Sequence, residues 1–157
     1  MALLLRRAKE SEVDVLVAHW KRFMALFIGK VELDMRMVPE APKRIRRFYL
    51  KTMRSRNSTF IVAERSDRIV GYAMGTVQKR PPVYRTRTQG YVTEIYLEKS
   101  ERGKGTGKLL MDELIKWARK KGQEQLALNV HPENRRALRF YARMGFRPVF
   151  HHLVKTL

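Results

Sequence analysis

The sequence has no cysteine and few carboxylates. With no thiol in 157 residues, disulfide staples and thiol nucleophiles are excluded, and the composition suits a reducing interior. Asp and Glu number 15 against 34 Lys and Arg, which leaves a formal charge of +19, so cationic partners are repelled and anionic ones attracted. Long hydrophobic runs are missing too. The N-terminal one, Ala2 to Leu5, gives way to Arg6-Arg7 and is too short for a secretory core or a membrane span, so a cytoplasmic, soluble protein without membrane attachment is expected. The histidines His19, His131, His151 and His152 show no ligand spacing with carboxylates or thiols, so no metal site is expected. What is present in quantity is apolar content, 44%. A chain of this length can bury about two-thirds of its unfolded surface without staples, and no repeat, low-complexity tract or linker divides it. Residues 1–157 are expected to form one domain.

Glycine is sparse overall but concentrated in Leu97–Met111, LEKSERGKGTGKLLM, where Gly103, Gly105 and Gly107 alternate with cations. Glycines let backbone N–H groups approach a ligand, and a following helix adds unsatisfied donors and a positive dipole end; this is a site for phosphate oxygens. Two nucleotide motifs fail on spacing. A Walker loop requires glycine where Arg102 stands and Ser or Thr where Leu109 stands. A G-x-G-x-x-G fingerprint ends on Lys108 if begun at Gly103, and on Leu110 if begun at Gly105.

The flanks narrow the choice. Gly90-Tyr91-Val92-Thr93-Glu94-Ile95-Tyr96-Leu97 reads as a buried strand rich in β-branched and aromatic residues. After the loop, Leu110, Leu114, Trp117 and Ala118 form one helix face that ends in Lys120-Lys121-Gly122, cations followed by a C′ glycine. An apolar strand, Leu126 to Val130, comes next. Then follows Asn134-x-x-Ala137-x-x-Phe140-Tyr141-x-x-x-Gly145-Phe146. Arg102-x-x-Gly105-x-Gly107 resembles the acetyl-CoA loop of the GNAT superfamily of N-acetyltransferases, and the Asn134–Phe146 run resembles its second signature. The resemblance is specific over roughly residues 58 to 147.

The resemblance implies an α+β fold: a central mixed sheet of six to seven strands flanked by about four helices. It implies acetyl-CoA as cosubstrate and direct acyl transfer to a primary amine in a ternary complex. The backbone of Arg102, Gly103, Lys104, Gly105, Thr106 and Gly107 would hold the pyrophosphate, with Arg102, Lys104 and Lys108 adding charge. The main chain of Ile95, Tyr96 and Leu97 would pair with the pantetheine arm, and Asn134 would touch it. Glu94 matches the carboxylate that commonly serves as general base, and Tyr141 the hydroxyl that protonates the CoA thiolate. Each has an ordinary alternative: a solvated or ion-paired strand face for Glu94, some relatives placing the carboxylate one position earlier where this chain has Thr93; core packing on the Ala137, Phe140, Tyr141, Met144 stripe for Tyr141; a simple helix cap for Asn134. Arg135 and Arg136 suit either the 3′-phosphate or a solvated helix face. Thr106 departs from the aliphatic residue usual at its position.

Elsewhere, Leu3–Arg7 suggests a first strand. Ser11 with Asp14 suggests a capped helix carrying Val13, Leu16, Val17, Trp20, Met24 and Phe27. Pro39 to Pro42 opens a second helix with Ile45, Phe48, Tyr49 and Met53 on one face. Thr59–Glu64 and Ile69–Val77 form a hairpin around Ser66-Asp67-Arg68, and Lys79–Gln89 is a loop. Phe146–Leu157 is expected to supply one or two closing strands, with His151-His152 in one of them.

The cations are unevenly placed. Lys43, Arg44, Arg46, Arg47, Lys51, Arg54 and Arg56 crowd the second helix, and Lys79, Arg80, Arg85 and Arg87 the loop after the hairpin. In the resembling fold these segments flank the acceptor groove. They disfavour polyamines and aminoglycosides and favour an amine on an acidic peptide or protein, or one near RNA or the ribosome. An α-amine, with a pKa of roughly 7.7 to 8.0, is easier to deprotonate than a lysine near about 10.4. A peptide N-terminus or lysine is therefore the expected acceptor. The competing readings are a small-molecule acetyltransferase, a basic nucleic-acid-associated module and an acyl-CoA sensor. A monomer or homodimer is expected.

Overall fold

The computed structural model describes residues 2–26, 37–151 and 153–155. In chain order the elements are β1 (Leu3–Arg7), α1 (Val13–Ala25), α2 (Ala41–Arg54), β2 (Ser58–Arg65), β3 (Arg68–Lys79), β4 (Thr88–Leu97), α3 (Thr106–Lys120), β5 (Leu126–Leu128) and α4 (Arg135–Arg143). The strands make one sheet in sequential order, β1-β2-β3-β4-β5. The first three junctions are antiparallel, and β4 runs parallel to β5 through the α3 crossover.

Strand alternation assigns each side chain to one of two cores. Phe60, Val62, Tyr72, Met74 and Tyr96 face α1 and α2, where they meet Val13, Leu16, Val17, Trp20 and Tyr49. Ile61, Ala63, Val70, Ala73 and Val92 face α3, where they meet Leu110, Met111 and Leu114. Because both faces of the sheet are covered, β2 is buried continuously from Ser58 to Ala63, and Phe60 to Ala63 reads in sequence as an unbroken apolar run. The β2–β3 turn is two residues long, with Ser66 and Asp67 at φ of 52° and 57°. Two positive φ values give the turn twist that matches the strands' own.

Both C-terminal helices end on a left-handed glycine. Gly122 (φ 69°) follows α3, with Gly122 N–H bonded to Arg119 O and Gln123 N–H to Ala118 O. Gly145 (φ 86°) follows α4, with Gly145 N–H bonded to Ala142 O and Phe146 N–H to Tyr141 O. This paired arrangement closes orphan carbonyls and requires a residue without Cβ strain at C′.

Four expectations are corrected. The reciprocal cap before α1 is not made by Ser11 and Asp14: Glu12 accepts the Lys9 N–H at 2.8 Å, because a 3-10 turn over Glu10–Glu12 starts the helix earlier. Phe48 is 42% exposed, and its place facing the core is taken by Thr52, one turn beyond Tyr49 and buried. The strand expected over Leu126–Val130 stops at Leu128. Finally, the sheet has five strands among the described residues, since 146–151 and 153–155 form none. Pro148 offers no N–H to a ladder there, and Val149, Phe150 and Leu153 are exposed. His151 lies in this irregular stretch, while His152, like Phe27, falls outside the described residues.

Candidate active site

The site begins with a fault in the sheet. On β3 the register passes from Met74 opposite Glu94 to Gly75 opposite Val92, so Thr93 is an extra residue in β4. Such a bulge bends its strand and increases local twist. On the other side of β4 the parallel ladder covers only Gly90–Val92 against Leu126–Leu128. From Thr93 to Leu97, β4 is paired with β3 alone, and its outer edge meets no other described strand. An extended polar chain can add to such an edge.

Glu94 lies immediately beyond the bulge and takes two hydrogen bonds on one oxygen. Tyr49 Oη donates to Oε2 at 2.6 Å and Tyr72 Oη at 2.7 Å, with the two hydroxyls 3.0 Å apart. Both tyrosines are fully buried. Oε1 takes no hydrogen bond from the described residues. Burial raises the carboxyl above its ordinary value, and the two hydroxyls act against that rise. Burial first, and then the charge of Glu94, push both phenols up, so they remain donors. The ion-paired alternative for Glu94 is excluded among the described residues, where its partners are neutral hydroxyls.

Neither tyrosine is singled out by a sequence motif. Tyr49 comes from α2 and Tyr72 from β3, and they meet Glu94 only through the tertiary fold. The signal available was a tyrosine on an apolar helix face and another mid-strand, each on the side that Glu94 also faces.

The loop after β4 is anchored at both ends. Glu98 is held by His19 Nε2 and Arg22 at 3.3 Å and by Arg68 at 3.6 Å, while burial lowers the His19 pKa. Arg102 Nε donates to Leu97 O at 3.0 Å, so this guanidinium ties the loop to the strand, and one of the carbonyls expected to face pantetheine is already an acceptor. Beneath the loop, buried Glu101 accepts from Arg65 at 3.2 Å and from Thr106 Oγ1 at 3.2 Å. The Arg65 bond is the leading reason its pKa is lowered. Thr106 in place of an aliphatic residue is thus matched by Glu101. Thr106→Val should remove one hydrogen bond to a buried carboxylate and cost about 1–2 kcal/mol, read as a lower urea midpoint at unchanged slope.

Gly105 is the residue before α3, at φ 85°. No side chain caps the helix, and a Cβ built on Gly105 would meet nothing within 4 Å. The space beside Gly105 is open, and Gly103 likewise takes a left-handed φ of 83°. A Cβ on Gly103 would lie 4.0 Å from Arg136 Nη2, which brings that cation to the loop from α4. Lys104 stands 3.7 Å from Glu101 and Lys108 2.6 Å from Asp112. The donor set of amides, Lys104, Lys108 and Arg136 suits phosphate oxygens.

Across the loop, α4 starts at Asn134, whose side chain accepts Ala137 N–H at 3.1 Å. A Cβ on Gly107 would lie 3.4 Å from Leu97 Cδ1 and 3.8 Å from Phe140 Cε2, which seats α4 against the start of α3. Tyr141 follows Phe140 and packs against Phe146, ring centroids 5.7 Å apart and T-shaped, the contact produced by the Gly145 turn. Burial pushes the Tyr141 phenol up to about 12. No group of three or more metal-binding side chains exists among the described residues, and no described helix is long and apolar enough to cross a membrane.

The chain matches the Acetyltransferase (GNAT) family over residues 23–146 and belongs to that family. It is 30% identical over 111 residues to an uncharacterized N-acetyltransferase of Methanocaldococcus jannaschii, a match spanning 66% of this chain and 46% of that one. The chain spans less than half the length of the curated relatives it matches. A predicted acetyltransferase from Clostridium acetobutylicum, solved with acetyl-CoA, shares the fold at a TM-score of 0.79 and 22% identity, covering 99% of this chain and 96% of that one. The structure of AAC(6′)-Iy with a CoA-linked bisubstrate analogue does so at 0.77 and 14%, covering 100% and 99%.

Proposed function

We propose that the protein transfers the acetyl group of acetyl-CoA directly to a primary amine, and that the amine belongs to a peptide or protein. The observation that carries this reading is Glu94: a half-buried carboxylate beside a strand edge that no described strand covers, with one oxygen fixed by two phenols and the other taking no hydrogen bond from the described residues. In this reading acetyl-CoA supplies a thioester-activated acetyl group. The amides around Gly105 bind its phosphates, and the outer edge of Ile95 to Leu97 aligns the pantetheine arm with Asn134 nearby. Glu94 Oε1 takes the proton from the ammonium, directly or through one water, so that a lone pair becomes available. Tyr141 Oη, protonated at neutral pH, gives a proton to the departing thiolate. The freed amine attacks the thioester carbonyl, so that the C–N bond forms and the C–S bond breaks while the second nitrogen proton passes to solvent. Reprotonation of Tyr141 from solvent and loss of the Glu94 proton complete the cycle, with one proton released per turnover.

The test is CoA-thiol release with acetyl-CoA against N-terminal peptides, lysine peptides, polyamines and aminoglycosides. Turnover on peptides is expected; preference for polycationic small amines would overturn the acceptor class. That second reading is kept because AAC(6′)-Iy, an aminoglycoside N-acetyltransferase, shares the fold. The cations of α2 and of the β3–β4 loop oppose it. Tight CoA binding without turnover on any amine would mark a sensor. Tyr141→Phe should lower kcat by about 100-fold or more, in the range for a lost proton donor, with acetyl-CoA affinity kept. A wild-type kcat would leave Tyr141 as packing alone.

A further inference from the structure

The outer face of α2 carries a feature that acetyl transfer does not use. The helix has no acidic residue. Two of its cations are satisfied, Arg46 by Asp14 at 2.9 Å and Arg54 by Glu10 at 2.6 Å, and these pairs fasten α2 to α1 and the turn before it. Lys43, Arg44, Arg47 and Lys51 are exposed and reach no carboxylate among the described residues. Lys43, Arg47 and Lys51 recur every four residues, so they share one side of the helix over about 12 Å. Arg47 and Lys51 also line a depression of about 420 Å³ with Leu50 and Ser55.

Among these cations stands Phe48, 42% exposed, four residues after Arg44 and three before Lys51. Its ring centroid lies 6.2 Å from that of Tyr49, the two planes tilted by 44°. Cations alone fit any polyanion. An aromatic face set among them fits a strand whose bases are unstacked, because every base has a π-face to lay on it while its phosphates meet the cations. A run of carboxylates alone would use the charges and leave the ring uncovered.

We propose that the outer face of α2 is a dock for single-stranded nucleic acid, with Lys43, Arg44, Arg47 and Lys51 on phosphates and one base stacked on Phe48. The neighbouring residue, Tyr49, donates to Glu94 at 2.6 Å. Phe48 and Tyr49 thus divide the helix, the one exposed among the cations and the other buried against the carboxylate. The dock does not depend on Glu94 being the base.

Fluorescence anisotropy with the full chain and a labelled 12-nucleotide RNA, the same DNA sequence and an oligoglutamate, titrated against salt, tests the dock. Four phosphate contacts should give a log–log salt slope near about −3, at roughly −0.7 per contact on a single strand. Arg44→Ala/Arg47→Ala/Lys51→Ala should bring the slope near about −1. Phe48→Ala should weaken binding by about 5- to 100-fold at unchanged slope, with Phe48→Trp restoring it. Either RNA or DNA preference supports the dock and names its source. Thermal melts and acetyl-CoA affinity should stay at wild-type values in all three variants, which separates failure of the dock from failure of the fold or of the acetyltransferase reading. Oligoglutamate binding as tight as the oligonucleotides, with Phe48→Ala without effect, overturns it in favour of an acidic protein. Oligonucleotide binding that is absent, or indifferent to both α2 variants, overturns it outright.

Discussion

Glu94→Gln is expected to lower kcat/KM for the amine by about 10²- to 10⁴-fold, leave acetyl-CoA affinity intact, and raise thermal stability. Glutamine keeps the shape and still offers an acceptor to Tyr49 and Tyr72, so the pocket is not emptied. The stability sign follows from the carboxyl's raised pKa. An acid whose folded pKa lies above its unfolded one adds stability at low pH, and that addition is lost as pH rises through the folded value. Wherever the carboxyl is ionised the folded protein bears the cost of burying that charge, and the neutral amide avoids it. Tyr72→Phe tests the same group from the other side. It deletes one hydrogen bond that favours the anion, so the Glu94 pKa rises further and the ascending limb of kcat/KM moves to higher pH. A Glu94→Gln variant with wild-type rates removes the base role, and one that melts well below wild type makes the carboxylate structural.

The second large effect is expected at Gly105. Gly105→Val should weaken acetyl-CoA binding on the order of 100-fold, measured by calorimetry, with far-UV circular dichroism essentially unchanged. The left-handed φ of 85° costs a side chain roughly 1–2 kcal/mol, and valine at its χ1-restricted worst sits at the upper end. The protein itself has room, since nothing lies within 4 Å of the new Cβ. What the side chain fills is open space at the start of α3, beside the proposed phosphate site. Gly105→Ala should fall between wild type and valine. Unaltered affinity in the valine variant would place the phosphates elsewhere.

Much of this architecture is legible in the sequence because its causes are local. Three glycines before an amphipathic run announce the loop and α3, and Asn134 three residues before Ala137 announces the cap of α4. Gly145-Phe146 belongs to the signature for a reason visible only in three dimensions: the glycine turns the chain so that Phe146 lands on Tyr141 and orients its ring. The errors have local causes as well. Ser11 and Asp14 satisfy a capping pattern, yet Glu12 wins because a 3-10 turn precedes the helix. Phe48 has the hydrophobicity of a core residue but the wrong helical phase, Tyr49 and Thr52 holding the inward positions.

By itself, the sequence determined the family, the order of elements from β1 to α4, the glycine-rich loop and the candidacy of Glu94 and Tyr141, since each rests on residue type and spacing along one segment. Only the tertiary structure decided what surrounds Glu94. Tyr49 and Tyr72 lie 45 and 22 residues before it, and their convergence on a single carboxylate oxygen depends on how α2 packs on β3 and β4. The bulge at Thr93 is likewise a property of strand pairing, because one extra residue is invisible until the register on both sides is known. Hydrogen bonds between distant segments and an edge of β4 that no described strand covers are products of packing, and on them rests the proposal that Glu94 is a base.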